Sequence, residues 1–161
     1  MRAAVLTIST SVARGEREDA AGAALARLAE QAGVEVVSQD VVSDDAAAIA
    51  ERLRSYVAGD LRFAFTTGGT GLTPDDVTPE ATRTVIERDA PGFAEALRAE
   101  SVRQTPMGVL TRGVSGIAGR TLIVNFPGSP RAVQQLFGVI APALAHAAQT
   151  LTREPGAGAG H

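Results

Sequence analysis

The sequence contains no cysteine, no tryptophan and no lysine, and its only histidines are His146 and His161. Without cysteine there is no disulfide framework, no thiolate nucleophile and no cysteine-ligated zinc. Without lysine there is no Schiff base and no Walker loop, whose G-x-x-x-x-G-K-S/T pattern sets a lysine on the phosphates. Two histidines, one of them the last residue, exclude a multi-histidine metal site and leave little for a histidine triad. No apolar run approaches the roughly 18 residues that span a bilayer, and the apolar start, Ala3 to Ile8, is too short for the core of a signal peptide. A cytoplasmic protein without membrane contact is expected. Basic charge is also scarce: 15 arginines face 18 acidic residues, for a net charge of −3 and a pI near 5.4. That balance argues against a nucleic-acid partner, which calls for a basic face.

What is present is ordinary for one globular domain: 161 residues, 45% hydrophobic and 20% charged. Ala3 to Ile8 reads as a buried strand, followed by a polar loop, Ser9 to Gly15, and a helix from about Glu18 to Ala32 with Gly33 at its end. Val34 to Val37 gives a second strand, with Val42 as its furthest extent, Ser43-Asp44-Asp45 opens a helix carrying Ile49, Leu53, Tyr56 and Val57, and Leu61 to Thr66 gives a third strand. Further on, the pattern predicts a helix from Thr78 to about Arg88, a break at Pro91-Gly92, and a helix over 93–104 anchored by Phe93, Leu97 and Val102. Glycine-punctuated chain from Val109 to Arg120 suggests a hairpin or an extended segment. A strand over 121–126 and a helix capped by Ser129 and kinked at Pro142 complete the pattern. The βαβαβ order predicts a single three-layer α/β domain over 1–151, with a mostly parallel sheet and helices on both faces. The glycine-rich segment 152–161 reads as a disordered tail. Ligands of such sheets sit beyond the carboxyl ends of the strands, where Ser9, Asp44 and the residues after Thr66 all fall.

The most informative stretch is Phe65-Thr66-Thr67-Gly68-Gly69-Thr70-Gly71-Leu72-Thr73-Pro74-Asp75-Asp76-Val77-Thr78-Pro79-Glu80. A strand running through glycines into a helix is an anion-binding layout, because glycine lets backbone N–H groups approach a ligand and the helix start adds partial positive charge. Carboxylates at the same place would repel phosphates unless a cation lay between, so the stretch suggests a Mg²⁺-bridged phosphate or nucleotide. The dinucleotide fingerprint G-x-G-x-x-G fails, with Pro74 at its third glycine. The blander alternative is a strand-to-helix turn whose glycines only relieve strain. Asp76 is then a partner of the helix dipole, and Asp44 a helix cap.

Thr66-Thr67-Gly68-Gly69-Thr70-Gly71 followed by Asp76-Val77-Thr78-Pro79-Glu80 resembles the signature of the molybdopterin adenylyltransferase family, the MogA/MoaB type of molybdenum-cofactor biosynthesis protein. Two further blocks match in the family's order: Arg14 to Asp19 with Gly22, and Asn125-Phe126-Pro127-Gly128-Ser129-Pro130. The resemblance covers roughly residues 3 to 150. It implies adenylylation of molybdopterin by Mg²⁺ and ATP, with Asp76 and Asp44 as catalytic residues holding Mg²⁺. Ser9, Thr67, Gly68, Gly69, Thr70, Gly71, Thr78, Pro127, Gly128, Ser129 and Pro130 would bind the substrates. It also implies a homotrimer or hexamer and hand-over to a molybdenum-insertion protein. A non-catalytic molybdopterin carrier of the same fold is the alternative. The match has departures. Ser9-Thr10 stands where the family commonly has Ser-Asp, and Ala21-Gly22 where it often has Ser-Gly. The missing lysines leave the pterin phosphate to Arg14, Arg112 or Arg131, since arginine binds phosphate in a bidentate manner.

Overall fold

In the computed structural model, which describes residues 1–156, six strands form one sheet in the order β2-β1-β3-β6-β5-β4. Strands β1 (Arg2–Ile8), β2 (Glu35–Val42), β3 (Phe63–Thr67) and β6 (Thr121–Phe126) run parallel. Strands β5 (Ser115–Ala118) and β4 (Arg88–Asp89) add an antiparallel edge. Every residue of β3 and β6 is buried, as the continuous apolar runs require when both faces are covered.

Alternation along the strands divides the core in two. On one face Val5, Phe63, Phe65, Leu122, Val124 and Phe126 pack beneath helices α2 (Ala20–Gln31), α5 (Pro91–Gln104), α6 (Pro130–Ile140) and α7 (Leu144–Leu151). On the other, Ala4, Leu6, Ala64 and Ile123 meet Ile49, Leu53 and Tyr56 of α3 (Ala46–Ala58) and Ala81 of α4 (Thr78–Arg83). Phenylalanine is concentrated on the first face. The Phe65 ring meets Phe126 and Phe137 edge-on, with centroids 6.1 and 5.8 Å away, the arrangement favoured by the ring quadrupole.

Several local expectations are corrected. The loop after β1 holds a one-turn helix, α1 (Thr10–Ala13), capped by the Ser9 side chain. Helix α4 stops at Arg83 rather than Arg88. The Thr82 and Thr84 hydroxyls bond back to the Thr78 and Ala81 carbonyls, and the β-branched Val85 and Ile86 follow. Such residues support helix poorly, and the chain instead contributes β4. Pro91-Gly92 does not break a helix but begins α5, where no intrahelical partner is lost with the missing N–H of proline. Val102 is 46% exposed and anchors nothing. The ambiguous stretch 109–120 resolves into the end of a 3-10 turn (Pro106–Leu110), then β5 and a tight return into β6 through Gly119 at φ +56°. Pro142 interrupts the last helix as expected, with a 3-10 turn at Ala141–Ala143 between α6 and α7. Of the tail expected over 152–161, residues 157–161 lie outside the described residues.

The four parallel strands end at one rim. Ser9 follows β1, Asp44 follows β2, Gly68 follows β3 and Pro127 follows β6. The loop after β1 leads to α2 on one face and the loop after β3 leads to α4 on the other, so a crevice opens between neighbouring strands.

The aromatic contacts carry a stability prediction. Phe65→Ala is expected to cost about 3–5 kcal/mol, read as a lower urea midpoint at unchanged denaturant dependence.

Candidate functional site

The crevice is a cleft of about 260 Å³, lined by Thr7, Ser9, Arg17, Asp19, Asp44, the Thr67-Gly68-Gly69 turn and Gly128 among others. A larger depression of about 550 Å³ lies at the other end of the sheet, where β1 and β3 begin, beside Arg2, Asp60 and Arg62. It has neither the glycine turn nor the strand ends. The cleft is therefore the candidate site.

Close approach of backbones builds the glycine turn. Gly68 has φ +100° and Gly69 φ +67°, a region that side-chain-bearing residues avoid. A Cβ on Gly68 would lie 2.2 Å from the Ile8 carbonyl oxygen, and one on Gly69 would lie 2.2 Å from the Thr78 hydroxyl. Thr78 is fully buried and donates to the Gly68 carbonyl at 2.9 Å. It holds the turn from behind and does not line the cleft. The Thr67 hydroxyl donates to the Pro127 carbonyl at 2.7 Å, tying the turn to the loop after β6. Gly128 lets that loop pass close, since a Cβ there would meet the Gly68 Cα at 3.2 Å. Asn125, within the third matching block, is buried and bonds Thr66, Thr82 and the Val114 N–H. It is a brace between strands.

The carboxylates separate in role. Asp45, not Asp44, caps α3 by accepting from Ala48 N at 2.8 Å. Asp44 lines the cleft and is held by Thr10, which does not: Oδ2 accepts from Thr10 N at 2.9 Å and from the Thr10 hydroxyl at 2.8 Å. Asp76 is half-buried beyond Gly71, where its Oδ2 accepts from the Thr73 N–H and hydroxyl at 2.9 and 2.8 Å. Asp76 is not part of the cleft lining, and neither are Thr70, Gly71 and Ser129. Ser129 caps α6, with Ala132 N donating to its hydroxyl at 3.3 Å; Pro130, next to it, does line the cleft.

Asp19 and the arginines complete the surroundings of the cleft. Asp19 caps α2 through Gly22 N at 2.8 Å and accepts from the Thr7 hydroxyl at 2.6 Å. Gly22 is required because a Cβ there would sit 2.3 Å from both partners. The Asp-x-x-Gly spacing was the available signal for this. Arg112 is engaged by the chain itself. It donates to the Gly71 carbonyl at 2.8 Å, the Asp76 carbonyl at 2.7 Å and the Glu80 carboxylate. The Arg112 hydrogen bond also holds the Glu80 carboxyl below its usual pKa. Arg14 and Arg131 do not line the cleft; Arg17 does, and it is the single cationic side chain among the lining residues. It lies within the matching block Arg14 to Asp19, where only Arg14 is singled out by the sequence as a phosphate binder.

Among the described residues no group of three or more histidine, aspartate or glutamate side chains converges as a metal cage. Asp44 and Asp76 each take all their side-chain hydrogen bonds on Oδ2, so each keeps Oδ1 for another ligand. One or two carboxylates with phosphate oxygens and water is how Mg²⁺ is bound, so Asp44, the one of the two that lines the cleft, fits as a single protein ligand to a cation that arrives on a polyphosphate.

Comparison with known proteins agrees with this geometry. Residues 4–146 match the family described as probable molybdopterin binding domain. The chain is 37% identical to molybdenum cofactor biosynthesis protein B of Escherichia coli K12, covering 89% of this chain and 85% of that one. It is 31% identical to a molybdopterin adenylyltransferase of Helicobacter pylori J99, covering 87% and 81%. It is also 41% identical to the Drosophila melanogaster molybdenum cofactor synthesis protein cinnamon, over 89% of this chain but 24% of that longer one. Likewise it spans 22% of Dictyostelium discoideum gephyrin. The crystal structure of the molybdopterin biosynthesis enzyme MoaB from Thermus thermophilus superposes with a TM-score of 0.89 at 41% identity, over 96% of this chain and 98% of that one. In sequence and in fold, the chain belongs to the probable molybdopterin binding domain family of molybdenum-cofactor biosynthesis proteins.

Proposed function

We propose that the protein acts in molybdenum-cofactor biosynthesis as a molybdopterin adenylyltransferase. The observation that carries this reading is the cleft itself, in which the Thr67-Gly68-Gly69 turn lies with Asp44 and one arginine, Arg17, beside Glu18 and the helix cap Asp19. A phosphate oxygen of molybdopterin attacks the α-phosphorus of ATP, the α–β bridging bond breaks, and pyrophosphate leaves with the bond's electrons. The nucleophile is already ionised at neutral pH, which agrees with a chain that has no lysine and lines its cleft with no histidine. Its residues position and neutralise instead of forming covalent intermediates.

In this reading the Thr67 to Gly71 turn and the loop 127–130 cradle phosphates. Asp44 and Asp76 would hold Mg²⁺, whose contribution when bound is to neutralise charge on the triphosphate. Arg17 supplies the cation nearest the cleft and takes the place expected of Arg14, Arg112 or Arg131. Arg112 and Glu80 fix the loop that carries Asp76. A passive carrier has no need of a carboxylate among phosphate-binding donors, which is why transfer is favoured over storage. A cytoplasmic location is part of the same proposal; among the described residues no helix is long and apolar enough to cross a membrane.

The decisive experiment incubates the pure protein with molybdopterin, Mg²⁺ and ATP, and follows adenylylated molybdopterin and pyrophosphate. Pterin binding without either product would identify a carrier and overturn the reading. Asp76→Asn and Asp44→Asn should each lower turnover by about 10²-fold, equivalent to about 2.7 kcal/mol of transition-state stabilisation. Unchanged turnover in both variants would remove the carboxylates from the mechanism. Arg17→Gln should raise KM for one phosphate-bearing substrate by about tenfold at nearly constant kcat, the signature of lost ground-state binding; an unchanged KM would return Arg17 to the solvated surface. Met107, Val109 and Leu110 are 63%, 66% and 43% exposed on one 3-10 turn, more apolar surface than a monomer usually leaves in one place. Light scattering at micromolar concentration is therefore expected to give a mass of three or six subunits, and a monomer would contradict the proposed assembly.

A further inference from the structure

The contact between Thr10 and Asp44 joins two loops that are far apart in sequence. The Thr10 hydroxyl donates to Asp44 Oδ2 at 2.8 Å and accepts from Asp44 N at 3.1 Å, while Thr10 N donates to the same Oδ2 at 2.9 Å. One side chain thus grips both the backbone and the carboxylate of its partner. The grip is reinforced below, where Ser9 N donates to the Val42 carbonyl at 3.0 Å and extends the β1–β2 pairing up to the loops. Asp45 relieves Asp44 of capping α3, so the orientation of Asp44 is set by Thr10 and not by its own helix.

All these carboxylate contacts fall on Oδ2, whereas Asp44 belongs to the cleft lining and Thr10 does not. We infer that Thr10 is the positioning residue of the site. It pins Oδ2 from outside the cleft and so presents Oδ1 inward as a single-oxygen ligand for a divalent cation carried by a nucleoside triphosphate. Mg²⁺ demands near-ideal octahedral geometry and uses few carboxylates, so a carboxylate that swings or binds through both oxygens serves it poorly. Fixing the side chain in advance removes the rotamer entropy otherwise lost on binding. This gives position 10, where the chain departs from the family's Ser-Asp pattern, a defined task. The identity of the cation and nucleotide rests on the adenylyltransferase reading.

The test compares the parent protein with Thr10→Val and Thr10→Ser. Val keeps the branched shape but deletes the hydroxyl, and Ser keeps the hydroxyl. Mn²⁺ binding in the presence of ATP is read by electron paramagnetic resonance, and adenylylation is followed against Mg²⁺ concentration. Thr10→Val should raise the apparent Kd for Mn²⁺ and the half-saturating Mg²⁺ by about tenfold, the loss expected for a hydrogen bond to a charged group, with kcat at saturating metal nearly unchanged. Thr10→Ser should stay close to the parent. In an Asp44→Asn background, Thr10→Val should add no further loss of metal binding, because the two residues act as one unit. Should the valine variant fail to fold, Thr10→Ala makes the same comparison. Parent-like Mn²⁺ binding by the hydroxyl-free variant would overturn the inference alone, as would a serine variant as impaired as valine. A parent protein that binds no Mn²⁺ with ATP would overturn the functional reading and this inference with it.

Discussion

Everything at the rim depends on a contact that a methyl group would destroy. The turn after β3 passes so close to Ile8 that Gly68 can carry no side chain, and Gly69 is equally confined by Thr78. That proximity brings the ends of β1 and β3 together beside one cleft, and the Gly68 N–H is held by the Phe126 carbonyl at 3.2 Å. The constraint is then locked from three directions. Thr78 holds the Gly68 carbonyl, Thr67 holds the Pro127 carbonyl, and Arg112 holds the Gly71 carbonyl. A turn held by backbone contacts tolerates little motion. The bracing supplies the rigidity.

Such bracing draws on arginine in a chain that has no lysine, and it explains a division of labour among like residues. Arg112 commits its guanidinium to two carbonyls and a carboxylate, for which a planar fork is suited and an ammonium is not. Arg17 lines the cleft instead. The carboxylates divide in a similar way. Asp45 and Asp19 cap helices, Asp19 while also lining the cleft, and Asp44 lines the cleft without capping.

Much of this was legible in the sequence because it is local. Continuous apolar runs marked β1, β3 and β6, and Ser129-Pro130 marked the start of α6, since periodicity and capping act within a few residues. The glycine stretch was legible as a tight turn because its demands are those of backbone geometry. What was not legible depends on partners distant in the chain. Whether Asp44 or Asp45 capped α3 turned on Thr10, and the fate of Arg112 turned on residues more than thirty positions earlier. The early end of α4 was readable in part, from the β-branched run after Thr82. That the following residues would pair with β5 was not, because a two-residue strand has no period of its own. The sequence pointed to Asp44 and Asp76 as one pair; the fold sets one in the cleft and the other beyond the glycine turn.

The depression opposite the cleft has a different kind of consequence. Met1 at the start of the first strand and Thr152 at the end of the last helix both line it, so the polypeptide enters and leaves the domain on one side while the cleft opens on the other. Fusion at either end then adds mass behind the rim of strand ends and leaves the mouth open. Domains with neighbouring termini are readily built into larger chains. Matches to this chain cover 24% and 22% of the two longer relatives, cinnamon and gephyrin. The layout makes the unit portable: a self-contained module whose plumbing and whose workbench face opposite directions.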